Sequence, residues 1–105
     1  MHKRDDVQPA TLAQALLLLE SPQEVDNFLK DLCTPQEIHA LSERWRVCQL
    51  LDEGKLSYRE IHKISGASIT TVGRVARFLK DEPYNGYKTM LNKVKVLQKN
   101  AKNNT

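Results

Sequence analysis

Between Ser57 and Lys80 the chain carries Arg59, Lys63, Arg74, Arg77 and Lys80 against one acid, Glu60. Cations at that density, with hydroxyls at Ser57, Tyr58, Ser68 and Thr70 among them, suit an anionic partner. Arginine forks and hydroxyl donors both match phosphate oxygens. The charge of the whole chain is split the same way. Residues 1–56 hold 6 Lys/Arg and 10 Asp/Glu, whereas residues 57–105 hold 10 and 3. Such asymmetry points to a polyanion met by the second half. A solvated basic surface explains the charge equally well, so the decision rests on the elements that hold these side chains.

Those elements read as two short helices joined by a tight turn. Ser57 opens the first, Tyr58-Arg-Glu-Ile-His-Lys-Ile64. The turn is Ser65-Gly-Ala-Ser68, in which Gly66 can take positive φ at little cost. The second helix runs from about Ile69 to Lys80. Val72, Val75 or Ala76, and Leu79 recur at helical spacing and should face a core. Thr70, Gly73 and Arg77 then face outward, flanked by Thr71 and Arg74. A helix-turn-helix places its second helix in the DNA major groove while the first crosses the backbone. Ser68, Ile69 and Thr70 lie at the end that meets base edges, where a thymine methyl or a base-edge acceptor can be contacted. Ser57, Tyr58, Arg59 and His62 lie where phosphates are met. Gly73 is odd in a helix interior, where it costs about 1 kcal/mol relative to Ala. Close approach to DNA and tolerance on a solvent face account for it equally.

Four capping-box patterns place the remaining helices: Thr11/Gln14, Ser21/Glu24, Thr34/Glu37 and Ser57/Glu60. In each, a hydroxyl accepts from the third helical N–H and the Gln or Glu reaches back to the cap. Pro22 and Pro35 suit a first helical position. Helices are therefore expected to begin near 12, 22, 35 and 58. The first, about 12–20, is apolar on most faces, which implies burial on all sides and hence a second subunit. The second, 22–32, aligns Val25, Phe28, Leu29 and Leu32. The third, 35–53, aligns Ile38, Leu41, Trp45, Cys48 and Leu51, with Gly54 as its C-cap. Pro83 stops the recognition helix, Tyr84-Asn-Gly86 is a turn, and a last helix spans about 87–98. The expected organisation is a flexible N-terminus (1–10), one helical domain (11–98) and a disordered tail (99–105). The fold class is all-α.

Several functions find no support. Cys33 and Cys48 form no metal-binding spacing and read as reduced, buried thiols, as in a cytoplasmic protein. His2, His39 and His62 are given no catalytic role, and Asp5-Asp6 is a poor acid–base pair. With no nucleophile–base pairing and no Gly-rich phosphate loop, neither an enzyme nor a cofactor is expected. The apolar run at 15–19 is too short to span a membrane.

Thr34-Pro-Gln-Glu-Ile-His-Ala-Leu-Ser-Glu-Arg-Trp-Arg46, Leu50-Leu-Asp-Glu-Gly54, Ser57-Tyr-Arg-Glu-Ile61 and Gly66-Ala-Ser-Ile-Thr-Thr-Val-Gly-Arg74 resemble the Trp repressor superfamily. The resemblance is closest to its YerC/YecD-type branch and covers about 12–98. It implies six helices, an intertwined homodimer and two helix-turn-helix heads on half-sites about 34 Å apart. It also implies an effector pocket. The two arginines that clamp the corepressor in tryptophan sensors match Arg44 and Arg74, and two pocket threonines match Thr71 and Thr34. Where the sensors have glycine and serine, this chain has Val75 and Phe78, whose bulk would occlude the site. The reading is thus a homodimeric, double-stranded-DNA-binding transcription regulator, a repressor by type, that does not require L-tryptophan, with another small-molecule effector left open. The alternative is a helical interaction module that keeps the fold without operator-specific DNA binding.

Overall fold

Helices start where the caps put them. The computed structural model describes residues 8–103. Its elements are α1 (Leu12–Leu17), α2 (Pro22–Leu32), α3 (Pro35–Glu53), α4 (Tyr58–Ser65), α5 (Ile69–Lys80) and α6 (Gly86–Asn103). The fold is all-α with six helices, and no strand occurs among the described residues. No described helix is long and apolar enough to cross a membrane.

Three capping boxes close as expected. Gln14 N–H donates to Thr11 Oγ1 at 3.1 Å while Thr11 N–H donates to Gln14 Oε1 at 2.8 Å. Thr34/Glu37 and Ser57/Glu60 repeat the exchange at 2.8–3.1 Å. Ser21/Glu24 closes by half. Ser21 Oγ accepts from Glu24 N–H at 3.1 Å, but the Glu24 carboxylate takes the N–H of Glu20, at 2.9 Å, rather than that of Ser21. An unpaired donor is still satisfied, one residue further upstream.

Two expected helix ends are corrected. The first helix stops at Leu17 rather than about 20, because Ser21 must be extended (φ −151°, ψ 158°) both as N-cap and as the residue before Pro22. Its last turn tightens, with Leu18 and Leu19 N–H bonded three residues back. At the other end, α6 continues through Lys99 to Asn103, where a disordered tail was expected from 99. No Gly or Pro interrupts Lys99-Asn-Ala-Lys-Asn103, and lysines complement the negative end of a helix dipole. Residues 104–105, and 1–7 of the flexible N-terminus expected over 1–10, lie outside the described residues. Residues 8–10 carry no helix.

The chain divides into two units, residues 1–38 and 39–105. In the first, α1 and α2 bury no residue. Phe28 and Leu29 are half-buried, whereas Leu17 is 86% and Leu18 74% exposed. The second unit holds the core: Val47 and Cys48 of α3, Ile61 of α4, Ala67 of the turn, Val72, Val75 and Leu79 of α5, and Leu91 of α6. Trp45, Leu50, Leu51, Leu56 and Tyr87 pack around it half-buried. Leu41, expected on the same stripe of α3, is exposed. Gly54 (φ +71°) follows α3, its N–H on the Leu51 carbonyl at 3.1 Å. Lys95 Nζ meets Asp52 Oδ2 at 2.7 Å and ties α6 to α3.

Candidate nucleic-acid interface

The interface is built on the junction of α4 and α5, which pack on each other through buried Ile61, Ala67 and Val72. Gly66 adopts φ +79°, and its N–H donates to the His62 carbonyl at 3.0 Å. Ala67 N–H donates to Ser65 Oγ at 3.0 Å. His62 Nδ1–H donates to the Ala67 carbonyl at 2.6 Å. A carbonyl can only accept, so the proton sits on Nδ1. His62 was expected at the phosphates. Its Nδ1 is committed to the turn, and the residue is exposed.

Both helices open on serine caps. Ser57 Oγ accepts from Glu60 N–H at 3.1 Å, and Ser68 Oγ accepts from Thr71 N–H at 3.0 Å. Ser68 Oγ–H also donates to Thr71 Oγ1 at 3.1 Å. Ser68 and Thr71 therefore spend hydroxyl capacity on the cap of α5, a role the sequence reading assigned to neither. Glu60, fully exposed, has its carboxyl held below the usual range, first by the Ser57 N–H and then by the Ser57 hydroxyl.

On α5, Val72, Val75, Ala76 and Leu79 are all buried, so the stripe takes both Val75 and Ala76. Opposite lie exposed Thr70, Arg74 and Arg77, with half-buried Gly73 beside them. Ile69 is half exposed at the first turn, and Tyr58 and Arg59 are exposed at the start of α4. Tyr58, Arg59, Ile69, Thr70, Gly73 and Arg77 thus lie on the outer surfaces of two helices that pack on each other. The first N–H groups of each helix lack intrahelical partners and supply further donors for anions.

The residues assigned to an effector pocket separate by role. Thr34 belongs to the N-terminal unit, where it caps α3. Val75 is fully buried in the core. Phe78 is half-buried, with the Arg74 guanidinium 4.3 Å and the Arg77 guanidinium 5.0 Å from its ring centroid. Tyr84 stacks on Phe78 with centroids 6.4 Å apart and planes within 12°. An open apolar groove of about 370 Å³ lies beside this stack, lined by Phe78, Tyr84, Gly86, Tyr87 and Met90.

Two participants escaped the sequence reading. Tyr87 stands half-buried in the first turn of α6. Burial first, and then Cys48, push its phenol up, while Arg74 and Arg44 pull it down. The two arginines of the assigned pocket thus act on the same phenol, Arg44 from α3 and Arg74 from α5. Periodicity alone gives no signal for a hydroxyl at the edge of an apolar stripe. Glu82, just past α5, stands 3.7 Å from Arg77 Nε, a pairing across the helix end that i,i+4 spacing does not reveal.

Comparison with known proteins agrees with this architecture. The model of the Trp repressor protein family matches residues 8–95. The chain is 37% identical over 84 residues to YerC of Bacillus subtilis (strain 168), whose function is uncharacterised, covering 80% of this chain and 79% of that one. The crystal structure of a TrpR-like protein from Eubacterium eligens ATCC 27750 superposes with a TM-score of 0.74 at 36% identity, covering 79% of this chain and 84% of the other. A crystal structure from Staphylococcus aureus, of a protein proposed to be a Trp repressor, gives 0.74 at 32% identity over 90% and 96%. The family is one of regulators and not of enzymes. The matched span runs from before α1 into α6 and contains the whole helix-turn-helix: the chain belongs to the Trp repressor family.

Proposed function

We propose that the protein is a homodimeric transcription regulator of the cytoplasm that binds double-stranded DNA sequence-specifically through α4 and α5 and does not require L-tryptophan. The observation that carries the reading is the locked turn. Gly66 in the left-handed region and the 2.6 Å bond from His62 to Ala67 close the turn between two serine-capped helices. Their outer surfaces carry arginines and hydroxyls. Arg59, Tyr58 and Ser57 take phosphates, Ile69 and Thr70 meet base edges, and Arg77 lies on the same outward face of α5 as Thr70. The apolar, exposed α1 supports a second copy as the partner of the N-terminal unit.

Independence from L-tryptophan rests on Phe78. Its ring lies under the Arg74 guanidinium at 4.3 Å, so this arginine has an aromatic surface without a ligand. Saturable, stoichiometric binding of L-tryptophan in a calorimetric titration would overturn this part of the reading.

DNA recognition is tested by salt and by a pair of variants. With ~6 phosphates neutralised, log affinity should fall with log salt at a slope near −5. Thr70→Ala should relax sequence preference and leave non-specific binding in place. Arg59→Ala should weaken binding to all sequences and flatten the salt slope. A flat salt response in the parent, or no effect of either variant, sinks the reading in favour of a protein-interaction module.

A further inference from the structure

Among the described residues of the chain, nothing shows a use for Gly73. Gly54 and Gly66 both need positive φ, and Gly73 does not. A Cβ added at Gly73 would meet nothing within 4 Å beyond its chain neighbours and the adjoining backbone of its own helix. Glycine is a poorer helix former than alanine, and Gly73 stands in the interior of α5. Neither backbone conformation nor packing within the chain therefore calls for it. Its place on the helix suggests what does. Ile69 and Thr70 precede it by four and three residues and Arg77 follows by four, so these side chains surround it on one surface.

We propose that Gly73 is a specificity determinant, a notch one methyl wide that receives the C5-methyl of a thymine in the major groove. This rests on the DNA reading above. The notch is floored by the Cα–H of Gly73, lies one helical turn from half-exposed Ile69 with open space at the Cβ position, and offers no side-chain donor or acceptor of its own. A base-edge amide or carbonyl pressed into it would lose its hydrogen bonds to water, whereas a methyl group loses none. Thymine is the base that presents a methyl there. Thr70 and Arg77 then flank that base pair and supply the polar contacts.

The test uses the full-length parent and Gly73→Ala, with duplexes that the parent enriches from a random-sequence pool. Gly73→Ala should melt higher, by roughly 4 °C, because open space receives the Cβ and the helix gains propensity. The same variant should bind the enriched duplex at least tenfold more weakly. Replacing one particular thymine by deoxyuridine, which removes the methyl, should restore its affinity to within about threefold of the parent. Parent-like binding by Gly73→Ala overturns the proposal, as does a lower melting temperature, which would mark a structural role. Weakened binding with no deoxyuridine rescue overturns the methyl assignment. A parent that enriches no sequence removes the DNA reading itself, and the notch falls with it.

Discussion

The two units of the chain are equally well signposted and unequally finished. Thr11/Gln14 opens α1 with the same reciprocal bonds that Ser57/Glu60 uses to open α4. Yet α4 and α5 sit on a core whose Ile61, Val72 and Val75 are fully buried, while α1 and α2 bury nothing. Local chemistry starts a helix; burial requires a surface to meet. Residues 39–105 supply both sides of their core. The leucines of α1 face outward in a single chain, as they would where a second copy covers them.

The largest expected effects separate these cases. Ile61→Ala opens a cavity in a finished core and should destabilise folding by about 2–5 kcal/mol, read by chemical denaturation. Leu17→Asp is the sharper probe. At 86% exposure, substitution should move stability by no more than about 0.5 kcal/mol if the chain functions alone. If Leu17 is covered by a second copy, the variant should dissociate in sedimentation equilibrium and lose operator binding. A parent that sediments as a monomer at micromolar concentration would break the contrast.

The cysteines give a middle-sized test. Cys48 is fully buried, and burial, seconded by Asp52, pushes its thiol up to about 11 from an ordinary 9.0. A raised thiol pKa means that the folded state resists the thiolate. The stability Cys48 contributes is thus fully present below pH 9 and is lost as pH rises through about 11. Cys48→Ala should flatten that alkaline loss, measured by thermal melts between pH 8 and 11. A native-state thiol assay should leave Cys48 unmodified until the protein unfolds.

What the sequence disclosed divides along the same line. Four helix starts were legible because each is written in four adjacent residues, from Thr11-Leu-Ala-Gln14 to Ser57-Tyr-Arg-Glu60. The core face of α5 was legible because a 3.6-residue period narrows it to Val72, Leu79 and Val75 or Ala76, and both of the last two are buried. Two helix ends were not: α1 stops at Leu17, and α6 runs to Asn103 because nothing stops it, and the absence of a signal is hard to read. In the site, the outward position of Thr70 and Arg77 followed from the same period. The committed Nδ1 of His62, the Ser68–Thr71 bond and the phenol of Tyr87 did not. Those depend on distances across a turn or between helices, which spacing along one helix does not contain.

The smallest expected effect tests whether the caps are as alike as they look. Ser57→Ala removes the acceptor for Glu60 N–H and should cost about 0.5–2 kcal/mol. Thr11→Ala removes the matching acceptor in α1, where no core reports the loss unless a second copy covers the helix. Acid provides the parallel titration. The Ser57 bonds hold the Glu60 carboxyl below its ordinary range, so the stability it adds is present above that range and is lost as pH falls through the depressed value. The box at Thr11 uses Gln14, which does not titrate. Amide exchange at the first turns of α1 and α4 should therefore diverge in acid once corrected for intrinsic rates, with α4 losing protection and α1 keeping it. Equal loss in both would mean that global unfolding, and not the cap, sets the acid response.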